Sequence, residues 1–161
     1  MQPPSIIIRK GKKSDLPSIL KLIRELALFE KAPEEVTNTV EDMEADGFGE
    51  RPAFEFYVSE IGSEIVGMAL YFIKYSTWKG KGIYLDDLIV TEKHRGKGIG
   101  KKLLDRVILE AKKTNAKQMH WQVLDWNEPA IRIYEQYGAT IEAEWLDCKL
   151  NQKQINSQPG G

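Results

Sequence analysis

A glycine-rich turn between an apolar segment and a helical pattern constrains this chain more than any other feature. Residues 83–90 are mostly apolar, as in an inner strand, and apolar residues then recur at helical spacing from Ile99 to Ala111. Between the two segments, residues 95–101 place a glycine at every second position from 96 to 100. The chain therefore contains a strand, a tight turn and a helix in direct succession.

The other segments extend this unit into a mixed α/β sheet flanked by helices. The predicted order is strand, two helices, three strands, helix, strand, helix, strand. From the N-terminus the segments are a strand at 6–8, a helix at 16–29 capped at Ser14 or Asp15, a short helix within 33–49, strands at 53–59, 65–75 and 83–90, a helix from 99, a strand at 118–124, a helix at 127–137 and a strand at 140–150. We expect one domain over residues 5–150 and a polar, flexible tail over 151–161.

Composition narrows the classes of partner. The 23 basic and 24 acidic residues nearly cancel, which gives no long-range attraction for nucleic acid or an anionic membrane. Cys148 is the only cysteine and the start of the sequence lacks a secretory pattern, so we expect a reducing, cytoplasmic environment. The longest apolar run, 65–73, is about half of the roughly 20 residues that span a bilayer. His94 and His120 are isolated, and we expect no metal site.

The glycine turn has the chemistry of an anion-binding site. Glycines let the backbone turn tightly and point amide N–H groups at a phosphate on the helix N-terminus. On the glycine pattern alone, an ordinary strand-to-helix turn with solvated basic side chains fits equally well. A nucleoside-triphosphate loop matches poorly, because Lys101 is followed by Lys102 instead of Ser or Thr. A dinucleotide fingerprint also matches poorly, because its third glycine is missing.

Acidic residues interrupt the apolar strand before this turn. Strict alternation would put Asp86 on one face and Asp87 on the other. Two interpretations are possible. In the first, one aspartate accepts backbone hydrogen bonds at an irregularity of the strand; in the second, at least one aspartate faces a cleft and holds a cation. Glu30, at the end of the first helix, is a solvated helix-end residue or a third carboxylate of that cleft. Tyr134, judged by its spacing alone, is a core aromatic residue of its helix.

The turn at Arg95 and several longer segments resemble one enzyme superfamily. Arg95, Gly98 and Gly100 fit Arg-x-x-Gly-x-Gly, the pattern that binds the acetyl-CoA pyrophosphate in GNAT enzymes. Residues 6–150 resemble the spermidine/spermine N-acetyltransferase branch of GNAT, and most closely its thialysine N-acetyltransferase members. The segments that carry the resemblance are 22–27 (LIRELA), 46–49 (DGFG), 75–80 (YSTWKG), 84–87 (YLDD), 95–100 (RGKGIG) and 123–127 (VLDWN).

The resemblance implies a GNAT fold, acetyl-CoA as cosubstrate, a small amine substrate and a homodimer. It makes Tyr134 the general acid for the departing thiolate, with Asp86 helping the amine to lose its proton. The implied acetyl-CoA contacts are Leu88, Ile89, Val90, Arg95, Gly96, Lys97, Gly98, Ile99, Gly100, Lys101, Asn127 and Tyr134. The implied amine contacts are Phe29, Glu30, Asp86, Asp87 and Glu144.

Departures from the family pattern bear on the substrate. This chain has Asp86 where the family has glutamate, so the carboxyl sits one methylene further back. Ser76 stands where the spermidine/spermine enzymes carry an aspartate, which favours a shorter amine such as thialysine over a long polycation. Glu144 stands in a segment shorter than that of the polyamine enzymes. Two alternatives stay open: a GNAT enzyme acting on a protein or peptide amine, and a non-catalytic CoA- or polyamine-binding regulator.

Overall fold

The computed structural model describes Gln2 and residues 4–160, which divide into two compact units. Residues up to Gln122 form the first unit, and residues from Val123 form the second. The strands are Ile6–Lys10 (β1), Glu55–Ile61 (β2), Glu64–Ser76 (β3), Gly80–Val90 (β4) and Met119–His120 (β5). The helices are Leu16–Phe29 (α1), Val40–Phe48 (α2), Ile99–Lys113 (α3), Glu128–Gln136 (α4) and Gln152–Asn156 (α5).

The first unit is built on a 5-stranded mixed sheet in the order β1-β2-β3-β4-β5. Its first four strands pair antiparallel, and β5 pairs parallel to β4. The β2–β3 connection is a tight hairpin in which Ile61 pairs with Glu64 and Gly62 has a φ of 63°. The predicted mixed sheet flanked by helices is therefore confirmed.

Helices cover both faces of this sheet. The apolar stripe of α1, including Leu16, Ile19 and Leu20, packs with Met68 and Leu70 of β3 in one buried cluster. Helix α3 packs on β2, β3 and β4 and buries the residues that its periodicity indicates, Ile99, Leu103 and Val107. No helix among the described residues is both long and apolar enough to cross a bilayer.

An ion-pair cluster fixes the start of α1 to the edge of the sheet. The two carboxylate oxygens of Asp15 accept hydrogen bonds from the Arg9 guanidinium at 2.8 and 2.9 Å, and one also accepts the Lys12 N–H at 2.8 Å. Arg9 also donates to Glu60 at 2.9 Å. Asp15 occupies the N-cap position of α1, as predicted, but its side chain makes no capping hydrogen bond because it pairs with Arg9.

Sequence periodicity misplaces several boundaries. The segment from Pro33 forms only a 3-10 turn, and α2 begins later, where the Thr39 hydroxyl caps the Asp42 N–H at 3.1 Å. The strand predicted at 118–124 shrinks to Met119–His120, because only these residues pair with β4. Within the described part of the chain, residues 140–150 form no strand, so the predicted last strand is wrong for this isolated chain: these residues pair with no other strand and their side chains are exposed.

The second unit contains helices α4 and α5. Helix α4 follows Asn127 and ends before Gly138, whose φ of 78° is the left-handed conformation that stops a helix. This agrees with the predicted helix. Helix α5 begins at a capping box between Asn151 and Gln154, within the segment that the sequence assigns to a polar tail.

Candidate active site

A β-bulge in the middle of β4 determines where its two aspartates point. Tyr71 of β3 is opposite Leu85, whereas Leu70, the residue before Tyr71, is opposite Asp87. Asp86 is therefore the extra residue of the bulge and has no partner of its own on β3. One of the two sequence alternatives, an irregularity at the aspartates, is thus present.

The bulge changes the faces predicted for the two aspartates. Strict alternation fails at Asp86, so Asp87 shares a face with Leu70, which belongs to the core cluster beneath α1. The unbroken strand that the prediction of one carboxylate on each face assumed is therefore wrong, and Asp87 lies on the α1 side of the sheet. The negative charges of Asp86 and of Glu30, at the C-terminal end of α1, both act on Asp87. The fold thus brings the three carboxylates together.

This carboxylate cluster (Glu30, Asp86 and Asp87) favours uptake of positive charge. Burial raises the pKa of Asp87 to about 7, with smaller contributions from the charges of Asp86 and then Glu30. Desolvation also raises the pKa of Glu30 and of Asp86, although Asp86 keeps an exposed side. All of these effects disfavour three simultaneous negative charges, so the cluster gains free energy by binding protons or a cation.

Phe29 links the end of α1 to the glycine turn. Its ring is 41% exposed and lies under the Arg95 guanidinium, whose carbon is 5.1 Å from the ring centre. The Arg95 Nε–H also donates to the Val90 carbonyl at 3.0 Å. Arg95 is therefore held beside the end of α1 that carries Phe29 and Glu30.

The glycine turn has the conformation that an anion site requires. Gly96 and Gly98 have φ values of 75° and 76°, in the left-handed region that other residues rarely adopt. Gly98 is the N-cap of α3, no side chain caps the helix, and the first helical bond runs from the Lys102 N–H to the Gly98 carbonyl at 3.1 Å. The N–H groups that precede this bond have no acceptor within the helix and suit an anion.

One edge of β4 has no strand partner where cofactor contacts are predicted. Among the described strands, β5 reaches only Ile83 and Tyr84, so β4 beyond Tyr84 pairs with β3 alone. The side chain of Ile89 is buried in the core, so a ligand at this edge meets the backbone of the predicted contact residues rather than that side chain. The open edge leads from the bulge to the turn at Arg95.

The remaining predicted site residues lie in the second unit. Tyr134 is partly buried within α4, and burial raises the pKa of its hydroxyl. Asn127 occupies the N-cap position of α4 without making a side-chain capping hydrogen bond. Glu144 is exposed in the segment that lacks a strand. Their convergence with the carboxylate cluster stays a prediction from the sequence.

Glu25 makes contacts at the turn that sequence reasoning did not assign to it. It lies on α1 and accepts hydrogen bonds from the Thr91 hydroxyl and the Glu92 N–H. The residue belongs to a segment that carries the family resemblance, but its helical position gave no indication of a partner 66 residues away. A cavity of about 310 Å³ beside Glu25 is lined by α1 and the β2–β3 hairpin and includes none of the three clustered carboxylates.

Comparisons with known proteins identify the family of this chain. The model of the acetyltransferase (GNAT) family matches residues 18–139. A thialysine N-epsilon-acetyltransferase from Bos taurus is 42% identical over 153 residues, covering 89% of this chain and 90% of the relative. The spermidine/spermine N(1)-acetyltransferase-like protein 1 of Homo sapiens is 35% identical over 92% of this chain and 23% of its own length.

A solved structure with a similar backbone supports the fold assignment. An integron cassette protein from V. cholerae matches 94% of this chain and 96% of its own, with a TM-score of 0.75 and 22% sequence identity. At that identity the likeness shows the fold alone. Together with the family match and the curated relatives, these findings show that the chain is an N-acetyltransferase and belongs to the GNAT family.

Proposed function

We propose that this enzyme transfers an acetyl group from acetyl-CoA to a primary amine of a small cationic substrate, thialysine or a related diamine. The observation that carries the proposal is the carboxylate cluster, in which burial and two neighbouring charges raise the pKa of Asp87 to about 7. A site that holds three acidic groups together against their repulsion is suited to a ligand that brings ammonium groups.

The glycine turn fits the phosphate end of acetyl-CoA. Left-handed Gly96 and Gly98 open the N-terminus of α3, and Arg95 supplies a guanidinium that pairs well with phosphate oxygens. The unpaired edge of β4 offers backbone groups between this turn and the bulge. Acetyl-CoA would supply the acetyl group as a thioester, whose carbonyl carbon accepts the amine.

The carboxylates prepare the amine for attack. A primary amine has a pKa near 10.4 and is nucleophilic only after it loses a proton. We assign the binding of its ammonium form to Asp87 and Glu30. Asp86, which keeps an exposed side at the bulge, accepts the proton through ordered water.

Tyr134 acts at the leaving group. A thiolate whose conjugate acid has a pKa near 8.5, by comparison with cysteine, departs more readily when a nearby acid protonates it. Because burial raises the pKa of Tyr134, its hydroxyl keeps its proton at neutral pH and is a suitable donor. Backbone N–H groups at the open edge of β4 stabilise the oxygen on which negative charge develops.

The contacts of Ser76 support the proposal that the amine substrate is short. Its hydroxyl accepts the N–H groups of Trp78 and Lys79 at 3.2 and 3.1 Å, so it shapes the β3–β4 turn and offers no charge to a second ammonium group. The polyamine enzymes, by resemblance, place an aspartate there. A short acceptor with two amino groups, such as thialysine, is therefore preferred over spermine.

Residues 140–150 support the predicted homodimer. Trp145, Leu146 and Leu150 are 73%, 87% and 57% exposed, which is unusual for large apolar side chains. Because the segment has strand-forming composition and its isolated chain forms no strand there, we propose that a second copy covers it. We also propose a cytoplasmic location, since a single cysteine allows no disulfide within one chain.

Two substitutions at the bulge test the proposal. Asp87→Asn should raise the KM for the amine by about tenfold or more, because it removes a charged partner of an ammonium group. Asp86→Asn should lower kcat by about 100-fold, because it removes the proton acceptor. The KM for acetyl-CoA should stay within about twofold. Asp46→Asn, which removes an exposed carboxylate from the end of α2, is the matched control. An unchanged amine KM and rate in both bulge variants would exclude the cluster from the amine site.

A further inference from the structure

Glu25 lies on the face of α1 that meets the segment between β4 and the glycine turn. One of its carboxylate oxygens accepts the Glu92 N–H at 2.8 Å, and the Thr91 hydroxyl donates to the two oxygens at 3.0 and 3.2 Å. Arg95 approaches the same carboxylate at 3.9 Å. A single side chain of α1 therefore contacts three residues of the segment that leads into the turn.

These contacts hold a segment that has little regular structure of its own. After β4 the chain makes only a 3-10 turn at Glu92–His94 before Arg95 and the left-handed Gly96. The Thr91 N–H bonds to the Val66 carbonyl at 2.9 Å, which ties the beginning of the segment to β3. Glu25 adds the contact to Glu92, at the start of the 3-10 turn, where an acidic acceptor satisfies an otherwise orphan N–H.

The charge of Glu25 is unfavourable for the ligand that the turn is suited to bind. A carboxylate close to a phosphate site repels the anion and weakens the positive field of Arg95. Its presence therefore has to be explained by what it positions. Phe29, one helical turn further along α1, carries the Arg95 guanidinium on its ring, so Glu25 and Phe29 together fix the course of this segment.

We propose that Glu25 is a positioning residue for acetyl-CoA: it orders the segment from Thr91 to Arg95, and thereby the N–H groups and guanidinium that receive the pyrophosphate. The inference rests on the proposed function, because it takes CoA as the ligand of the turn. Glu25 does not touch the reacting atoms. Because Glu25 orders this segment before CoA binds, less conformational entropy is lost on binding; the site is preorganised.

Paired substitutions separate positioning from charge. Glu25→Gln removes one negative charge and weakens the bonds to Thr91 and Glu92. Glu92→Gln removes one negative charge from the same segment but keeps its backbone N–H, so it is the matched control. The affinity for CoA is measured by calorimetry on the full chain, and the exchange rate of the Glu92 amide is measured without CoA.

For Glu25→Gln we expect the Kd for CoA to rise about tenfold, the equivalent of newly ordering about one residue. Amide exchange at Glu92 should accelerate, whereas kcat at saturating substrates and the amine KM should stay unchanged. Glu92→Gln should bind CoA as well as the wild type or more tightly, because it only removes repulsion. Thr91→Val combined with Glu25→Gln should cost less than the product of the two single effects, because both act on one hydrogen bond.

Each contrary outcome has a definite meaning. A Glu25→Gln variant that binds CoA as tightly as the wild type, or more tightly like Glu92→Gln, would overturn the positioning role, and so would a fall in kcat with an unchanged Kd. If Glu25→Gln fails to fold, Thr91→Val alone should still raise the Kd, and no rise would overturn the proposal. Wild-type protein that does not bind CoA would overturn the proposed function itself, which the other outcomes leave intact.

Discussion

Replacing Asp87 with asparagine should stabilise the protein, and more so at higher pH. In the folded chain the pKa of Asp87 is about 7, against an ordinary value of 3.8, because of burial and of repulsion by Asp86 and Glu30. At pH values between 3.8 and about 7, the folded state therefore keeps a proton on Asp87 that the unfolded state has lost. The contribution of Asp87 to stability is therefore highest below pH 4 and falls as pH rises toward 7. Asparagine, which does not ionise, escapes this loss.

The structure gives the size of the effect. Each unit of pKa difference corresponds to about 1.4 kcal/mol, so one extra proton across pH 5 to 7 corresponds to about 3 kcal/mol of unfolding free energy. The advantage of Asp87→Asn over the wild type should therefore grow by about 2–3 kcal/mol between pH 5 and pH 8. For a chain of 161 residues this is a Tm difference on the order of 5–10 °C.

Urea denaturation at pH 5, 6, 7 and 8, without amine, measures this difference. Asp46→Asn is again the control, because it removes a carboxylate that is exposed on α2. Adding a diamine at pH 8 should raise the stability of the wild type and leave Asp87→Asn nearly unaffected, since only the wild type relieves its repulsion by binding. A constant difference between Asp87→Asn and the wild type across this pH range would refute the account of the cluster.

Three further substitutions address other parts of the account. Tyr134→Phe should lower kcat by about 100-fold or more, as expected when a general acid is removed, with little change in CoA affinity; steady-state kinetics with unchanged turnover would remove its assigned role. Gly98→Ala places a side chain at a φ of 76°, so it should cost about 1 kcal/mol of stability in thermal denaturation and also weaken CoA binding. The control Gly62→Ala, at a φ of 63° in a hairpin, should lose a similar amount of stability without weakening CoA binding. Equal CoA affinities in the two variants would contradict the anion site. The Arg9 guanidinium lowers the pKa of Asp15, so this pair stabilises the fold above the ordinary aspartate pKa of 3.8, and the stabilisation is lost as pH falls through the lowered pKa. Asp15→Asn should cost about 2 kcal/mol at pH 7 and progressively less below pH 4; a cost that does not change with pH in urea titrations would refute the pairing.

The sequence predicts the elements whose signals are local. The strand before the glycine turn, the turn and α3 all follow from neighbouring residues, and so do the apolar stripe of α1 and the start of α4 at Asn127. Glycine spacing and helical periodicity are properties of short windows, and the tertiary contacts agree with them. The predicted mixed sheet is correct for the same reason.

Features that depend on contacts between distant residues could not be predicted from the sequence. The bulge at Asp86 is a mismatch between β3 and β4, so no pattern within β4 alone reveals it. Glu30 could be recognised as a member of the carboxylate cluster only once α1 was packed on the sheet. Glu25 looked like any polar residue of an amphipathic helix. The strand expected at 140–150 depends on pairing with another strand, and residues 140–150 make no such pairing in the isolated chain.

The most direct test of the central claim is acetyl transfer by the purified protein to a panel of amines. CoA release from acetyl-CoA would be followed with thialysine, lysine, putrescine, spermidine, spermine and a short peptide. We expect the highest kcat/KM with thialysine, because the carboxylate cluster binds ammonium groups and Ser76 adds no charge for a longer chain. CoA binding without turnover of any amine, or turnover of the peptide alone, would contradict the account.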